Sequence, residues 1–134
     1  MPDSTRLFER IAEYRKALAR LHEVLLRAED DVVRDSIIQR FEFSFELAWK
    51  ALKLWLEFKN IDVRTPHEVL SEALRVGMIE DGNGWTHMQK ERNETSHTYD
   101  EKTAKDVVLF MRQEGIALFD ALDLRFTEIT KEAL

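Results

Sequence analysis

The segment from Val32 to Lys59 constrains this chain more than any other. Placed on a helix at about 100° per residue, Asp35, Gln39, Glu42, Glu46, Lys50, Lys53 and Glu57 fall within one narrow arc. Nearly every other position is apolar: Val32, Val33, Ile37, Phe41, Phe43, Phe45, Leu47, Trp49, Leu52, Leu54, Trp55, Leu56 and Phe58. A helix with so thin a wet strip must be covered on several sides. In a small chain that makes it the central helix of a bundle, or a helix that also lies in a subunit interface. Phe41, Phe43, Phe45, Trp49 and Trp55 are the candidates for such an interface. Arg40 and Ser44 interrupt the apolar side. Arg40 either snorkels or pairs locally, or it points into a polar pocket.

The remaining segments supply the covers. From Ser4 to Ala28, the residues Leu7, Ile11, Tyr14, Leu18, Leu21 and Leu25 alternate steps of four and three, an apolar stripe for one neighbour. Glu29-Asp30-Asp31 then puts acidic groups near the start of the next helix, where the dipole favours them. After Asn60 to Arg64, Thr65 is an N-cap, Pro66 sits at N1, Glu68 closes a capping box and Gly77 supplies the C′ turn. Asp81-Gly82-Asn83-Gly84 reads as a turn, and Thr86 to Gln89 repeats the capping-box spacing, starting a short helix towards Glu94. The last helix is expected from near Thr103 to about Phe126. Its apolar surface is Val107, Val108, Phe110, Met111, Leu118, Phe119, Leu122 and Leu124, and Gly115 marks a close crossing or a bend. No run alternates apolar and polar with turn signals at both ends, so no strand is expected. The sum is an all-α, antiparallel up-and-down bundle of four or five helices, one domain over residues 1–134.

Composition narrows the function. Twenty basic residues against 26 acidic ones give a net charge of −6, which argues against binding nucleic acid or anionic lipid through the whole-molecule field. A local basic patch is compatible with it. There is no cysteine, hence no disulfide, thiolate metal site or Cys nucleophile. No stretch approaches the ~18 uninterrupted apolar residues of a membrane span, and Met1 to Arg10 is polar, so the expected location is the cytoplasm, with no membrane partner. No glycine-rich phosphate loop, HExxH or EF-hand spacing is present. His22, His67, His87 and His97 lack partners at metal-ligand spacing, so no metal and no cofactor are expected. Glu42 and Glu46, one turn apart, read as a solvated strip offset by Lys50 and Lys53, with a catalytic pair as the lesser reading.

The segment Lys90 to Glu101, KERNETSHTYDE, packs Arg92, Asn93, Thr95, Ser96, His97, Thr98 and Tyr99 between two helices with hardly an aliphatic group among them. Arg offers a rigid fork of donors suited to phosphate, and His exchanges a proton near neutral pH. Five residues turn about 140° on a helix, so Arg92 and His97 do not share a face while helical. They converge if the helix ends between them, or if two copies meet across a two-fold axis. From Trp85 to Lys105, Lys90, Arg92, Lys102 and Lys105 are balanced by Glu91, Glu94, Asp100 and Glu101. Such a cleft suits one short strand or a free nucleotide better than general RNA binding. A capped helix end with a surface ion pair explains the composition equally well.

Arg92-Asn93-x-x-x-His97-x-Tyr99 resembles the Arg-x4-His-x-Tyr signature of HEPN-domain proteins. The stretch Ile38 to Lys50, IQRFEFSFELAWK, is similar to the hallmark helix of one branch, the nucleotidyltransferase substrate-binding protein family. Met78-Ile79 followed by Trp85 fits the same pattern, and the likeness covers nearly the whole chain. The resemblance implies a HEPN-like bundle that forms a homodimer, with a cleft where the motifs of both copies meet. It implies a cognate minimal nucleotidyltransferase as partner in a two-gene, toxin–antitoxin-like module, with this chain binding a nucleotide or other substrate for that enzyme. The alternative it implies is a metal-independent HEPN ribonuclease toxin. There His97 would be the general acid/base at the ribose 2′-OH, Arg92 would stabilise the charged phosphate, and Asn93 would bind or orient the substrate. Tyr99 would accept AMP and silence the site.

Overall fold

A computed structural model of the protein describes residues 4–97 and 100–132. Among these residues every regular element is helical: α1 (Thr5–Leu25), α2 (Asp31–Phe58), α3 (Pro66–Arg75), α4 (Gly82–His97), α5 (Glu101–Phe110) and α6 (Ile116–Glu132). A π turn over Met111–Gly115 joins α5 to α6 through helical backbone, φ −60° and ψ −42° at Met111, so the two form one rod and the bundle has five helices among the described residues.

α2 is the spine. Its Ile37, Ile38, Phe41, Phe45, Ala48, Ala51, Leu52 and Leu56 are buried against α1, α3, α4 and the α5–α6 rod. The most extensive partner is α1, which contributes Leu7, Ile11, Tyr14, Leu18, Leu21 and Val24. Phe119 of α6 is the hub of the aromatic core, with ring centroids 6.2 Å from Tyr14, 6.3 Å from Phe41 and 5.9 Å from Trp85. The Tyr14 hydroxyl donates to the Phe119 carbonyl oxygen at 2.6 Å, which satisfies the one polar atom of a fully buried ring. At the surface, α1 is clamped to α6 by Arg15 Nε to Asp123 Oδ1 at 3.0 Å and His22 Nε2 to Asp120 Oδ1 at 2.6 Å.

The N-cap read at Thr65 holds, whereas the helix start read at Thr86 does not, because Thr86 lies inside α4. The Asp30 carboxylate accepts from Val33 N at 2.8 Å, and Thr65 Oγ1 accepts from Glu68 N at 3.2 Å. Glu68 reaches back one residue beyond the cap, its Oε2 accepting from Arg64 N at 2.9 Å. Gly77 takes φ +83°, the left-handed turn that ends α3.

Four further expectations need correction. Asp81 to Gly84 is not a free turn but the start of α4: Asp81 caps it, its Oδ1 accepting from Gly84 N at 2.8 Å. The glycines serve close packing, because a Cβ on Gly82 would stand 2.7 Å from Leu74 Cδ2. The last rod starts at Glu101 rather than Thr103, because Asp100 takes the cap and accepts from Thr103 N at 2.7 Å. Gly115 closes the π turn, where the Met111 thioether occupies the place a Cβ would need. Three apolar residues assigned to buried faces are exposed: Val32 at 76%, Phe43 at 59% and Leu124 at 66%. Val32 lies in the opening turn of α2, and Phe43 lines two open surface recesses rather than the core.

Burial raises the Tyr14 pKa well above its ordinary value, and the nearby Asp123 and Asp120 carboxylates push the same way. The folded state therefore keeps a proton that the unfolded chain releases near pH 10, and stability falls as pH rises above that point. Tyr14→Phe should remove this component of alkaline destabilisation. At neutral pH it should cost about 1 kcal/mol for the lost hydrogen bond, both readable from urea melts at pH 7 and above 10.

Candidate functional site

The wet strip of α2 reaches the surface between α1 and α4, and one side of it forms a cleft lined by Gln39, Glu42, Phe43, Glu46 and Arg92. α4 carries Arg92 across to α2. Its Nη1 lies 3.3 Å from Glu42 Oε2 and its Nη2 lies 3.7 Å from Glu46 Oε1, so the fork straddles two carboxylates one helical turn apart. Nη1 also donates to Ser96 Oγ on its own helix. Nε is buried and has no acceptor among the described residues.

The two glutamates are themselves held. Trp49 Nε1 donates to Glu46 Oε2 at 3.1 Å, and Lys50 Nζ stands 3.8 Å from the same oxygen. The Thr95 hydroxyl sits 3.2 Å from Glu42 Oε2 and 2.7 Å from the Arg92 carbonyl oxygen, so it can donate to either. The expected offset by Lys53 is not formed, because Lys53 pairs with Glu57 one turn further on. Glu42 and Glu46 are thus half-buried counter-ions of Arg92 rather than a free solvated strip. Two cations, Arg92 and Lys50, meet two anions, and the local charge sums to zero. An incoming phosphate must replace a glutamate on the Arg92 fork.

The other motif residues are placed less closely. Asn93 is exposed and lines a separate recess with Thr86, Gln89, Lys90 and Glu94, so within one chain it does not share the Arg92 cleft. α4 stays helical through His97, so the helix does not end between Arg92 and His97 and the ~140° between them is kept. The His97 side chain and Tyr99 lie outside the described residues. His87, read from sequence only as a histidine without a partner at metal-ligand spacing, pairs with Glu91 at i+4 and ties α4 to the π turn: its Nε2 is 3.2 Å from Glu91 Oε1, its Nδ1 is 3.6 Å from Glu114 Oε2, and its ring lies 4.3 Å from that of Phe110.

Residues 9–128 match the family described as nucleotidyltransferase substrate binding protein like. The chain belongs to that family. A protein of Haemophilus influenzae (strain ATCC 51907 / DSM 11121 / KW20 / Rd), described as "Probable ribonuclease HepT", is 36% identical over 88 residues, 59% of this chain and 60% of that protein's length. The matched region therefore spans less than two thirds of that relative. The crystal structure of a Thermus thermophilus protein superposes with a TM-score of 0.74 at 33% identity, covering 81% of this chain and 94% of that one. In this family member the two stretches that carry the resemblance, Ile38 to Lys50 and Arg92 onward, lie some 50 residues apart in sequence and meet through the Arg92–Glu42–Glu46 contact.

Arg92→Ala and Glu42→Gln should each destabilise the fold modestly, and the double variant should fall short of their sum by about 0.5–1 kcal/mol. Strict additivity in urea melts would mean that the pair is not formed in solution.

Proposed function

We propose that this chain is a phosphate-binding partner subunit that presents a nucleotide or RNA to a minimal nucleotidyltransferase, as one half of a two-gene, toxin–antitoxin-like module. The observation that supports this best is the state of Arg92. Its guanidinium is fixed at the mouth of a cleft by two glutamates, with a buried donor left over. A terminal phosphate carries more charge than one carboxylate, and any phosphate fits the fork in two-point contact, so it can displace Glu46, the more distant partner, while Glu42 keeps the side chain in place.

A second reading, a metal-independent ribonuclease toxin, is favoured by the name of the Haemophilus relative and by the unbroken run of Arg92, Asn93, His97 and Tyr99. In it His97 takes the 2′-hydroxyl proton and Arg92 offsets the charge that grows on the phosphate. The two positions lie about 140° apart around α4, which stays helical through residue 97. The reading therefore pairs Arg92 of one copy with His97 of the other in a homodimer.

His97→Ala and Arg92→Ala should each lower RNA cleavage at least ~10²-fold, in a reaction that continues in EDTA. Mixing the two dead variants should restore about a quarter of the wild-type activity, since half the dimers are mixed and each mixed dimer has one intact Arg–His pair. A mixture that stays dead would place both groups in one chain.

Tyr99 separates both readings from a bundle on which no nucleotidyltransferase acts. Incubation with the cognate nucleotidyltransferase, Mg²⁺ and ATP should add one or more AMP-sized mass increments, and Tyr99→Phe should gain none. AMP there would set an anion against Arg92 and block the cleft. A stable complex with unchanged mass would leave substrate presentation as the role.

A further inference from the structure

A second recess lies on the other side of Gln39 and Phe43, between α1 and α2. It has a volume of about 370 Å³ and is lined by Glu13, Lys16, Ala17, Arg20, Ser36, Gln39, Arg40, Phe43 and Leu47. Gln39 and Phe43 line the Arg92 cleft as well, so the two recesses share one wall. The groove also carries positive charge with no ion-pair partner among the described residues. Its one carboxylate, Glu13, is already paired with Arg10 at 3.5 Å. Among the described residues Lys16, Arg20 and Arg40 form no ion pair, whereas Arg92, across the wall, forms two. Arg40 Nη1 donates to the Arg20 carbonyl oxygen at 2.7 Å, which fixes the guanidinium at the groove wall.

We infer that this groove is the binding path for single-stranded nucleic acid leading into the Arg92 cleft: the Phe43 ring stacks one base, and Lys16, Arg20 and Arg40 hold the phosphates beyond it. The inference rests on the phosphate-binding reading of Arg92 and names its substrate class. Three observations converge on a nucleotide chain. An aromatic ring 59% exposed on a helix whose other phenylalanines are largely covered offers a flat face to any base. The Gln39 amide, beside it, can donate to and accept from a base edge. Arg40 and Glu46 are six residues apart on α2, ~9 Å along its axis, a span that a short single strand covers. The positive charge that the segment around Arg92 lacks is thus supplied by Lys16 and Arg20 of α1 and by Arg40 of α2.

The test is fluorescence anisotropy of the full chain with two labelled probes, AMP and a 2′-O-methyl tetranucleotide that cannot be cleaved at the 2′ position. Phe43→Ala should weaken the tetranucleotide roughly tenfold, a loss in the range of one stacked base. The Lys16→Ala/Arg20→Ala pair should weaken the tetranucleotide too, and should flatten its dependence on log salt by about 0.7 for each phosphate no longer neutralised. Arg92→Ala should weaken both probes. If Arg92→Ala weakens the tetranucleotide while the groove variants do not, the groove inference is overturned and the Arg92 reading stands. If the wild type binds neither probe, the Arg92 reading falls and takes the groove with it. Light scattering supplies the remaining outcome: a Phe43→Ala mass half that of the wild type would make this face a contact between copies and overturn the inference.

Discussion

The bundle depends on the burial of α2. A helix of 28 residues with buried side chains from Ile37 to Leu56 cannot exist in water alone, and each of its neighbours is placed by the part of it that it covers. α1 covers one flank, α3 and α4 the C-terminal half and the second flank, and the α5–α6 rod closes the core through Phe119. The positions of Phe41 and Phe45, at 0% and 2% exposure, show how fully the chain does this for itself. These two rings, counted among the candidates for a two-fold interface, are intramolecular core. Of the same group Trp49 and Trp55 are half-buried, and Phe43 alone is exposed.

What was legible in the sequence follows from what kind of signal each feature leaves. The helices of α1 and α2, their burial pattern and the Thr65 cap depend on local periodicity and local hydrogen bonds, and both can be read from a single stretch. The start of α4 was missed because Asp-Gly-Asn-Gly carries the strongest local turn chemistry in the chain. Here tertiary packing overrides it: Leu74 and Leu118 press so close to Gly82 and Gly84 that side chains there would collide. The π turn leaves no pattern of its own beyond Gly115. The role of Glu42 and Glu46 was hidden for a different reason. Their local partners, Lys50 and Lys53, suffice to explain them within α2, and only the fold reveals that Arg92 arrives from 46 residues beyond Glu46. The motif around Arg92 and His97 was visible as composition and as resemblance. Its geometry was not, because it turns on whether α4 continues through it.

Arg40 shows the same division between local and tertiary signals. Sequence alone allowed snorkelling or local pairing, or a polar pocket; in the structure the guanidinium reaches across to α1, donates to the Arg20 carbonyl and lines the groove between α1 and α2. Ser44, the other interruption, resolves within α2, its buried hydroxyl donating to the Arg40 carbonyl at 2.8 Å. A polar residue on an apolar face is accommodated by the nearest backbone acceptor when it is short, and reaches a neighbouring helix when it is long.

The thin polar strip of α2 then acquires a meaning that burial alone does not give it. A helix covered on all its other sides has one face left through which to meet a ligand, and that face is flanked by the two helices that cover it. From α4, Arg92 crosses to the strip and is neutralised there. From α1, Lys16 and Arg20 approach it and are not. The strip is therefore bordered by a balanced charge cluster on one side and a positive groove on the other, with Gln39 and Phe43 between them. A net charge of −6 says nothing of this asymmetry, since it sums over a surface whose acidic groups stand mostly elsewhere. The same constraint that makes α2 the structural centre also leaves this narrow polar strip open between the helices that cover it.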